Sequence, residues 1–389
     1  MKQLTLLHDV SKTLIILIRI DSYPSRSSLP DYIQFNFPVR LIQEIGRNGR
    51  SAVSSPASIS TALFMIYLAA DGETKQQLRK ILGEHAMEIE IQRHFGKFLA
   101  SVIGGKNNAY TLNIANRFYV QQRFSIKPSF PYILKLYYGE TLHKFNYERK
   151  NQFIQEINNW ISDKTNNKIT ESMMTMNFNS ETEILVINAI YFKGIWKQQF
   201  FKGATRKSIF HISHSRKEKI PMMQLRAKLP YYDDNFVKVV KMPYVGDEVE
   251  MIIVLPKIRF ELSKIRERMT GKDLFKYIRN TILTEVEIKL PKFKLMEELN
   301  LEEILKKFGN TDIFSKSANF KKLSDDPISV SNIIHNALFE IDEKGTAAEI
   351  GFDSAYASSE HFLMFDADQP FLYFVVKNLQ TVLFVGQCS

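Results

Sequence analysis

The sequence predicts an α+β protein built mainly from antiparallel sheets. Helical patterns come first and strand patterns cluster later, with no regular βαβ alternation. Several of the later runs are apolar on both faces, as strands in the middle of a covered sheet are. The chain closes on two such runs, FLYFVV (371–376) and TVLFVG (381–386), separated by KNLQ, the pattern of a buried hairpin.

Residues 1–30 are expected to be an N-terminal extension, either poorly ordered or an atypical targeting segment. TLIILIRI (13–20) is apolar, but Arg19 interrupts it and His8 and Asp9 precede it, unlike a clean secretory signal. Residues 31–389 are expected to form one domain, because no internal repeat, low-complexity stretch or Pro/Gly-rich linker divides them. In SSPASISTALFMIYLAADGETKQQL (54–78), Ser55 can cap a helix, Pro56 suits its first turn and Gly72 can close it. Ile59, Leu63, Ile66 and Tyr67 then share a face, and Thr74 can cap a second helix through Leu78, Ile81 and Leu82. Phe153, Ile154, Ile157, Trp160 and Ile161 recur at helical spacing, with Asn158, Asn159 and Asp163 facing away. EILVINAIYF (183–192) and MIIVLP (251–256) read as buried strands. VEIKLPKFKL (286–295) sets Val286, Ile288 and Leu290 against Glu287 and Lys289, a half-exposed strand.

Composition narrows the function classes. Apolar residues make up 44% and charged residues 24%, the balance of a globular chain. No run approaches the roughly 18 apolar residues of a membrane span, so no membrane partner is expected. The net charge is +10, but the basic residues are scattered and no block of five like charges occurs. An ordinary basic surface is the simpler reading, and no nucleic-acid partner is expected. A polyanion would best fit Arg93 and Lys97, with His94, on IEIQRHFGKFLASVIG, although two charges on a solvated helix face are thin support. The one cysteine, Cys388, allows no internal disulfide, and no Asn-x-Ser/Thr sequon occurs.

Enzyme signatures are missing. There is no HExxH, GxSxG, GxxxxGK[ST] or GxGxxG. His211 and His214 in HISHS lack a nearby cysteine or carboxylate and read as surface histidines rather than metal ligands. Cys388 has no neighbouring histidine to activate it. No cofactor is called for.

From NAIYFKGIWKQQF (188–200) onward a family pattern emerges. SSPASIS (54–60), INNWISDKTNNKI (157–169), MPY (242–244), LPKFKL (290–295), GNTDIFS (309–315), VSNIIHNALFEIDEKGTAAE (330–349), DADQPFLYFVV (366–376) and VLFVGQC (382–388) all resemble the serpin family, in the family's order. The resemblance covers residues 31–389. It implies three mostly antiparallel sheets, eight or nine helices and an exposed reactive-centre loop of ovalbumin-like length. It implies a monomer that inhibits serine proteases, or sometimes cysteine proteases, as a suicide substrate, and not an enzyme. Serpins are themselves the familiar case of a loop joining a sheet and of stored strain released on cleavage. The compartment implied is extracellular, with the cytoplasm as the alternative because sequons, disulfides and a clean signal are missing.

The loop makes physical demands on its residues. A strand entering a packed sheet has a period of two, so alternate side chains must fit inside. From Thr346 the inward set is Thr346, Ala348, Ile350 and Phe352, and the outward set is Ala347, Glu349, Gly351 and Asp353. The hinge is Glu343, Gly345, Thr346, Ala347 and Ala348. Gly345 allows unusual backbone angles, whereas a charge at Thr346 would cost several kcal/mol to bury. Counting from Glu343 by the family's spacing puts the reactive bond between Ser359 and Glu360. Serine there suits an elastase-like pocket. Tyr356, Phe362, Leu363 and Met364 suit chymotrypsin-like enzymes if the register shifts. No Arg or Lys lies between 345 and 376, which disfavours trypsin-like targets. Glu349 and Ile350 depart from the family's run of small hinge residues, and a non-inhibitory serpin-fold binding or chaperone-like protein stays open as the alternative. Ser55, Ser58, Asn188 and His335 match the family's buried polar cluster where the large sheet opens. Trp196 matches the tryptophan at the point of loop entry. Pro38 departs from the family's first helix, expected over 33–45, and is expected to shorten it.

Overall fold

The computed structural model describes residues 33–84, 86–103, 110–170, 172, 178–343 and 362–389. Residues 1–30 and the loop residues Gly345 to Ala348, Ser359 and Glu360 lie outside the described residues. A 3-10 turn at Ile33–Phe35 leads into α1 (Asn36–Ile45), β1 (Ala52–Ser54), α2 (Pro56–Ala69), α3 (Gly72–Gly83) and α4 (Glu88–Ile103). There follow β2 (Tyr110–Gln121), α5 (Ser129–Tyr138), β3 (His143–Phe145), α6 (Lys150–Lys164) and β4 (Ile184–Gly194). Then come β5 (Arg206–His211), β6 (Lys217–Asp233), β7 (Val237–Pro243), β8 (Val249–Pro256), α7 (Leu262–Arg268) and α8 (Gly271–Arg279). The last elements are β9 (Ile282–Pro291), β10 (Phe293–Asn300), α9 (Glu302–Lys307), β11 (Val330–Ile341), β12 (Leu363–Asp366), β13 (Phe371–Lys377) and β14 (Thr381–Cys388).

The α+β expectation holds, with nine α-helices among the described residues. A five-stranded sheet runs β10-β11-β4-β2-β3. The remaining strands form one hydrogen-bonded network, β1-β14-β13-β8-β7-β6-β9-β12 with β5 on β6. Two of the three expected sheets are continuous here because β6, 17 residues long, pairs with β5, β7 and β9 along its length. Most pairs are antiparallel; β4 with β11, β2 with β3 and β9 with β12 are parallel.

Local readings fare unevenly. Ser55 caps α2, its hydroxyl accepting from Ser58 N, and Pro56 opens the helix. Yet α2 ends at Ala69 with Ala70 as its C-cap, and Gly72 instead begins α3 at a φ of +54°. Thr74 is not the cap of α3. Asp71 holds that position, while the Thr74 hydroxyl, inside the helix, donates to Asp312. Every residue of α2 except Ser60 is buried, because the helix is covered on both sides by β14 and by β4 and β2. The one-face reading of α2 was therefore too narrow. The first α-helix begins only at Asn36, after a 3-10 turn at Ile33–Phe35, and so is shorter than the expected 33–45; Pro38 lies in its first turn, where its missing N–H has no intrahelical acceptor in any case. VEIKLPKFKL is two strands rather than one. The chain breaks at Lys292, so β9 serves the larger network and β10 forms an edge of the five-stranded sheet.

Candidate functional site

One interior junction of the five-stranded sheet is parallel between two antiparallel ones. β4 and β11 run parallel and pair directly from Ile184 and Val330 to Phe192 and Phe339, flanked by the antiparallel pairs β2·β4 and β10·β11. Alternation sends Ile187 and Ala189 to one face and Asn188 to the other. On the first face, Phe153, Ile157, Trp160 and Ile161 of α6 pack on Leu185, Ile187, Ala189 and Tyr191 of β4 and on Ile334 and Leu338 of β11. The helix therefore covers this face of the five-stranded sheet, against β2 and its neighbours.

On the second face Asn188 and His335 stand directly opposite each other across the seam. Both are fully buried. His335 Nε2 accepts from Ser55 N at 3.0 Å, so the proton sits on Nδ1, which donates to Asn188 Oδ1. Burial depresses the His335 pKa to about 3, which keeps the ring neutral at ordinary pH. The Asn188 amide donates to Ser58 Oγ at 2.6 Å and to Asn116 Oδ1 at 2.7 Å. Asn116 in turn donates to Thr61 Oγ1 at 3.0 Å. Ser55 Oγ accepts from Ser58 N and donates to Leu383 O, which fixes the start of α2 to β14. The sequence reading named Ser55, Ser58, Asn188 and His335, and the fold brings all four together. It missed Asn116, which extends the row across β2, β4 and β11, and Thr61 of α2, to which Asn116 donates.

At the end of β11 the chain is tied down just before the loop. Trp196, 1% exposed, stacks on Tyr244 with ring centroids 4.3 Å apart, and its Nε1 donates to Asp342 O at 2.9 Å. Glu343 is buried, and its carbonyl accepts from Phe200 N at 3.0 Å. Thr205 Oγ1 donates to one carboxylate oxygen at 2.9 Å and Lys292 Nζ to the other at 2.7 Å. Burial alone would raise the Glu343 carboxyl, but the bonds from Lys292 and Thr205 outweigh it and hold the group below its usual range. Thr205 and Lys292 also escaped the sequence reading. Past the loop, β12 pairs parallel to β9 from Leu363 to Asp366, and Arg226 of β6 lies 5.4 Å from the Phe362 ring centre while bonding Glu287.

The other candidates are scattered. Arg93 and Lys97 lie on α4 with Lys97 exposed and Arg93 half-buried. His211 is beside Asp368, and the His214 ring packs on Phe260. No group of three or more metal-ligating side chains occurs among the described residues. Cys388 is buried, and burial pushes its thiol up to about 12, far from a reactive thiolate. No described helix is long and apolar enough to cross a membrane.

The family model described as "Serpin (serine protease inhibitor)" matches residues 33–389. The chain is a serpin. Serpins are protease inhibitors rather than enzymes, although some members do not inhibit. Human Serpin I2 is 29% identical over 96% of this chain and 94% of its own length. Bovine leukocyte elastase inhibitor is 33% identical over 86% of this chain and 92% of its own length. Uncleaved ovalbumin superposes with a TM-score of 0.85 at 24% identity, covering 91% of this serpin and 98% of ovalbumin, a likeness of fold.

Proposed function

We propose that this serpin inhibits an elastase-like or chymotrypsin-like serine protease as a suicide substrate. The protease serine attacks the Ser359 carbonyl, the Ser359–Glu360 peptide bond breaks, and the acyl group stays esterified to the enzyme while Glu360 becomes a free amine. Residues 346–358 then enter the five-stranded sheet before water reaches the ester. The observation that carries this reading is the parallel β4–β11 seam at the head of the loop. A chain that turns back after Glu343 runs antiparallel to β11, and therefore antiparallel to β4 as well. One parallel ladder becomes two antiparallel ones, the pairing that is slightly more stable per residue.

Ser55, Ser58, Asn188 and His335 act in this reading as the gate, because the His335–Asn188 bond spans the seam and must break for a strand to enter. Trp196 and Glu343 hold the hinge end until the loop is cut. The name of the bovine relative, leukocyte elastase inhibitor, supports an elastase-like target, as does serine at the cut. Residues 31–389 form the inhibitory unit. The second reading, a serpin-fold protein whose loop does not insert, draws on Glu349 and Ile350, where the hinge run of small residues is interrupted. Overpacking by Ile350 would cost roughly 1–3 kcal/mol.

Incubation with elastase, chymotrypsin and cathepsin G separates the two. The expected outcome is a covalent complex at summed mass that survives boiling in SDS, lost in Thr346→Arg, which is cleaved instead. Cleavage without a complex in the parent protein would support the second reading.

A further inference from the structure

The hairpin of β5 and β6 is basic: residues 206–220 carry Arg206, Lys207, Arg216, Lys217 and Lys219 against one acid, Glu218. In the antiparallel register, Lys207 faces Pro221, Ile209 faces Lys219 and His211 faces Lys217. Alternation places these residues on one face. Phe210 and Met222, both nearly fully buried, mark the other face, to which Glu218 also belongs as the partner of Phe210. Lys207, Lys217 and Lys219 are exposed around Ile209, itself 46% exposed. Among the described residues none of these three lysines forms an ion pair, whereas Lys193, Lys197, Lys289 and Lys292 all do. Arg206 is spent differently, since its guanidinium donates to the carbonyls of Gly203 and Thr205.

The hairpin is also rooted at both flanks of the loop. Thr205, immediately before β5, bonds Glu343 at 2.9 Å. His211 N, at the far end of β5, donates to Asp368 O at 2.7 Å, two residues beyond β12. The hairpin is thus tied to the described residues on either side of the loop.

We propose that this face docks an acidic surface of the target protease next to its active-site cleft. The inference rests on the inhibitory reading and narrows the target to an elastase-like or chymotrypsin-like enzyme with an acidic rim. A rim charge of this kind mainly raises the association rate and makes it salt-dependent. A linear polyanion is the weaker fit, because polyanion binding grows with the number of charges neutralised and this face offers three lysines.

The test uses chymotrypsin whose catalytic serine is replaced by alanine, either unmodified or succinylated on its lysines to make it acidic. The full-length serpin is compared with the Lys207→Glu, Lys217→Glu, Lys219→Glu triple variant. A control carries Lys80→Glu, Lys135→Glu and Lys321→Glu, the same change in net charge on exposed positions of α3, of α5 and beside Asn319. The expected result is that the hairpin variant associates with succinylated chymotrypsin about tenfold more slowly at low salt, that the control keeps most of the parental rate, and that the difference vanishes at high salt. Equal rates for the hairpin variant and the control overturn the proposal. So does a hairpin variant that loses binding to a sulfated polysaccharide yet docks the protease at the parental rate. Covalent trapping by active chymotrypsin is scored separately on the same proteins. Hairpin-dependent docking without trapping sinks the inhibitory reading and leaves the docking surface standing.

Discussion

His335 is a buried base held neutral by its surroundings. Its buried ring receives a hydrogen bond from Ser55 N and gives one to Asn188, so a second proton, on Nε2, would face a donor rather than an acceptor. The folded pKa of about 3 is far below the roughly 6.5 of an unfolded histidine. Between those values the unfolded chain binds the extra proton and the folded chain does not. Stability from this group is therefore complete above about pH 6.5 and declines as pH falls toward 3, by about 1.4 kcal/mol per pH unit. His335→Gln keeps one donor and one acceptor but cannot titrate. Urea unfolding at pH 7 and pH 5 is expected to show a parental loss about 2 kcal/mol larger than the variant's. Equal losses would mean that the imidazole accepts its proton in the folded protein.

At this scale much of the site was legible. Ser55, Ser58, Asn188 and His335 were legible through their match to the serpin family's buried polar cluster, and buried polar groups of this kind must be paired. Asn116 was hidden because β2 also carries Asn113 and Arg117, so one more polar residue did not stand out. Lys292 and Thr205 were hidden for a different reason. Their partner Glu343 is distant in sequence, and nothing local in either stretch marks an ion pair that only the fold assembles.

At the scale of elements, α6 shows why sequence periodicity succeeds. Its apolar residues Phe153, Ile157, Trp160 and Ile161 fall on one stripe, and that stripe is the one buried against the sheet. Helix α2 shows where periodicity fails, since a helix covered from both sides offers no stripe to find. The break at Lys292 was equally invisible, because the same alternation fits one long strand or two strands in different sheets. The position of α6 has a mechanical consequence. In the proposed insertion, a strand entering between β4 and β11 joins the sheet whose face α6 covers. Ile157, fully buried in that contact, is the natural place to loosen the helix without touching the gate. Ile157→Ala is expected to destabilise the intact protein by about 2–5 kcal/mol, and to raise the fraction of protease trapped per loop cleaved. Chemical denaturation checks the first effect and titration against elastase the second. A lower trapped fraction at reduced stability would remove α6 from the path of the strand.

At the scale of the whole molecule, the proposed insertion would add a sixth strand to the five-stranded sheet. Residues 346–358 have the right alternation, with Thr346, Ala348, Ile350 and Phe352 on one face, and the seam they would fill begins where β11 ends. Insertion exchanges one ladder for two and gains on the order of ten hydrogen bonds at about 1 kcal/mol net each. Burying Ile350 and Phe352 adds roughly 1.5–3 kcal/mol apiece. Broken gate bonds and overpacking subtract from this, but they involve fewer groups. At roughly 2.1 cal/mol/K of unfolding entropy per residue over 389 residues, a change approaching 10 kcal/mol corresponds to about 12 °C in Tm. Limited cleavage near Ser359 is therefore expected to leave both fragments associated and to raise Tm by more than about 10 °C. Calorimetry of the intact and nicked proteins decides the matter. Thr346→Arg, nicked at the same bond, supplies the comparison, because its hinge cannot enter and its Tm should stay where the intact protein's lies. If the nicked parent melts with that variant, the seam between β4 and β11 is closed to the loop, and inhibition by insertion fails with it.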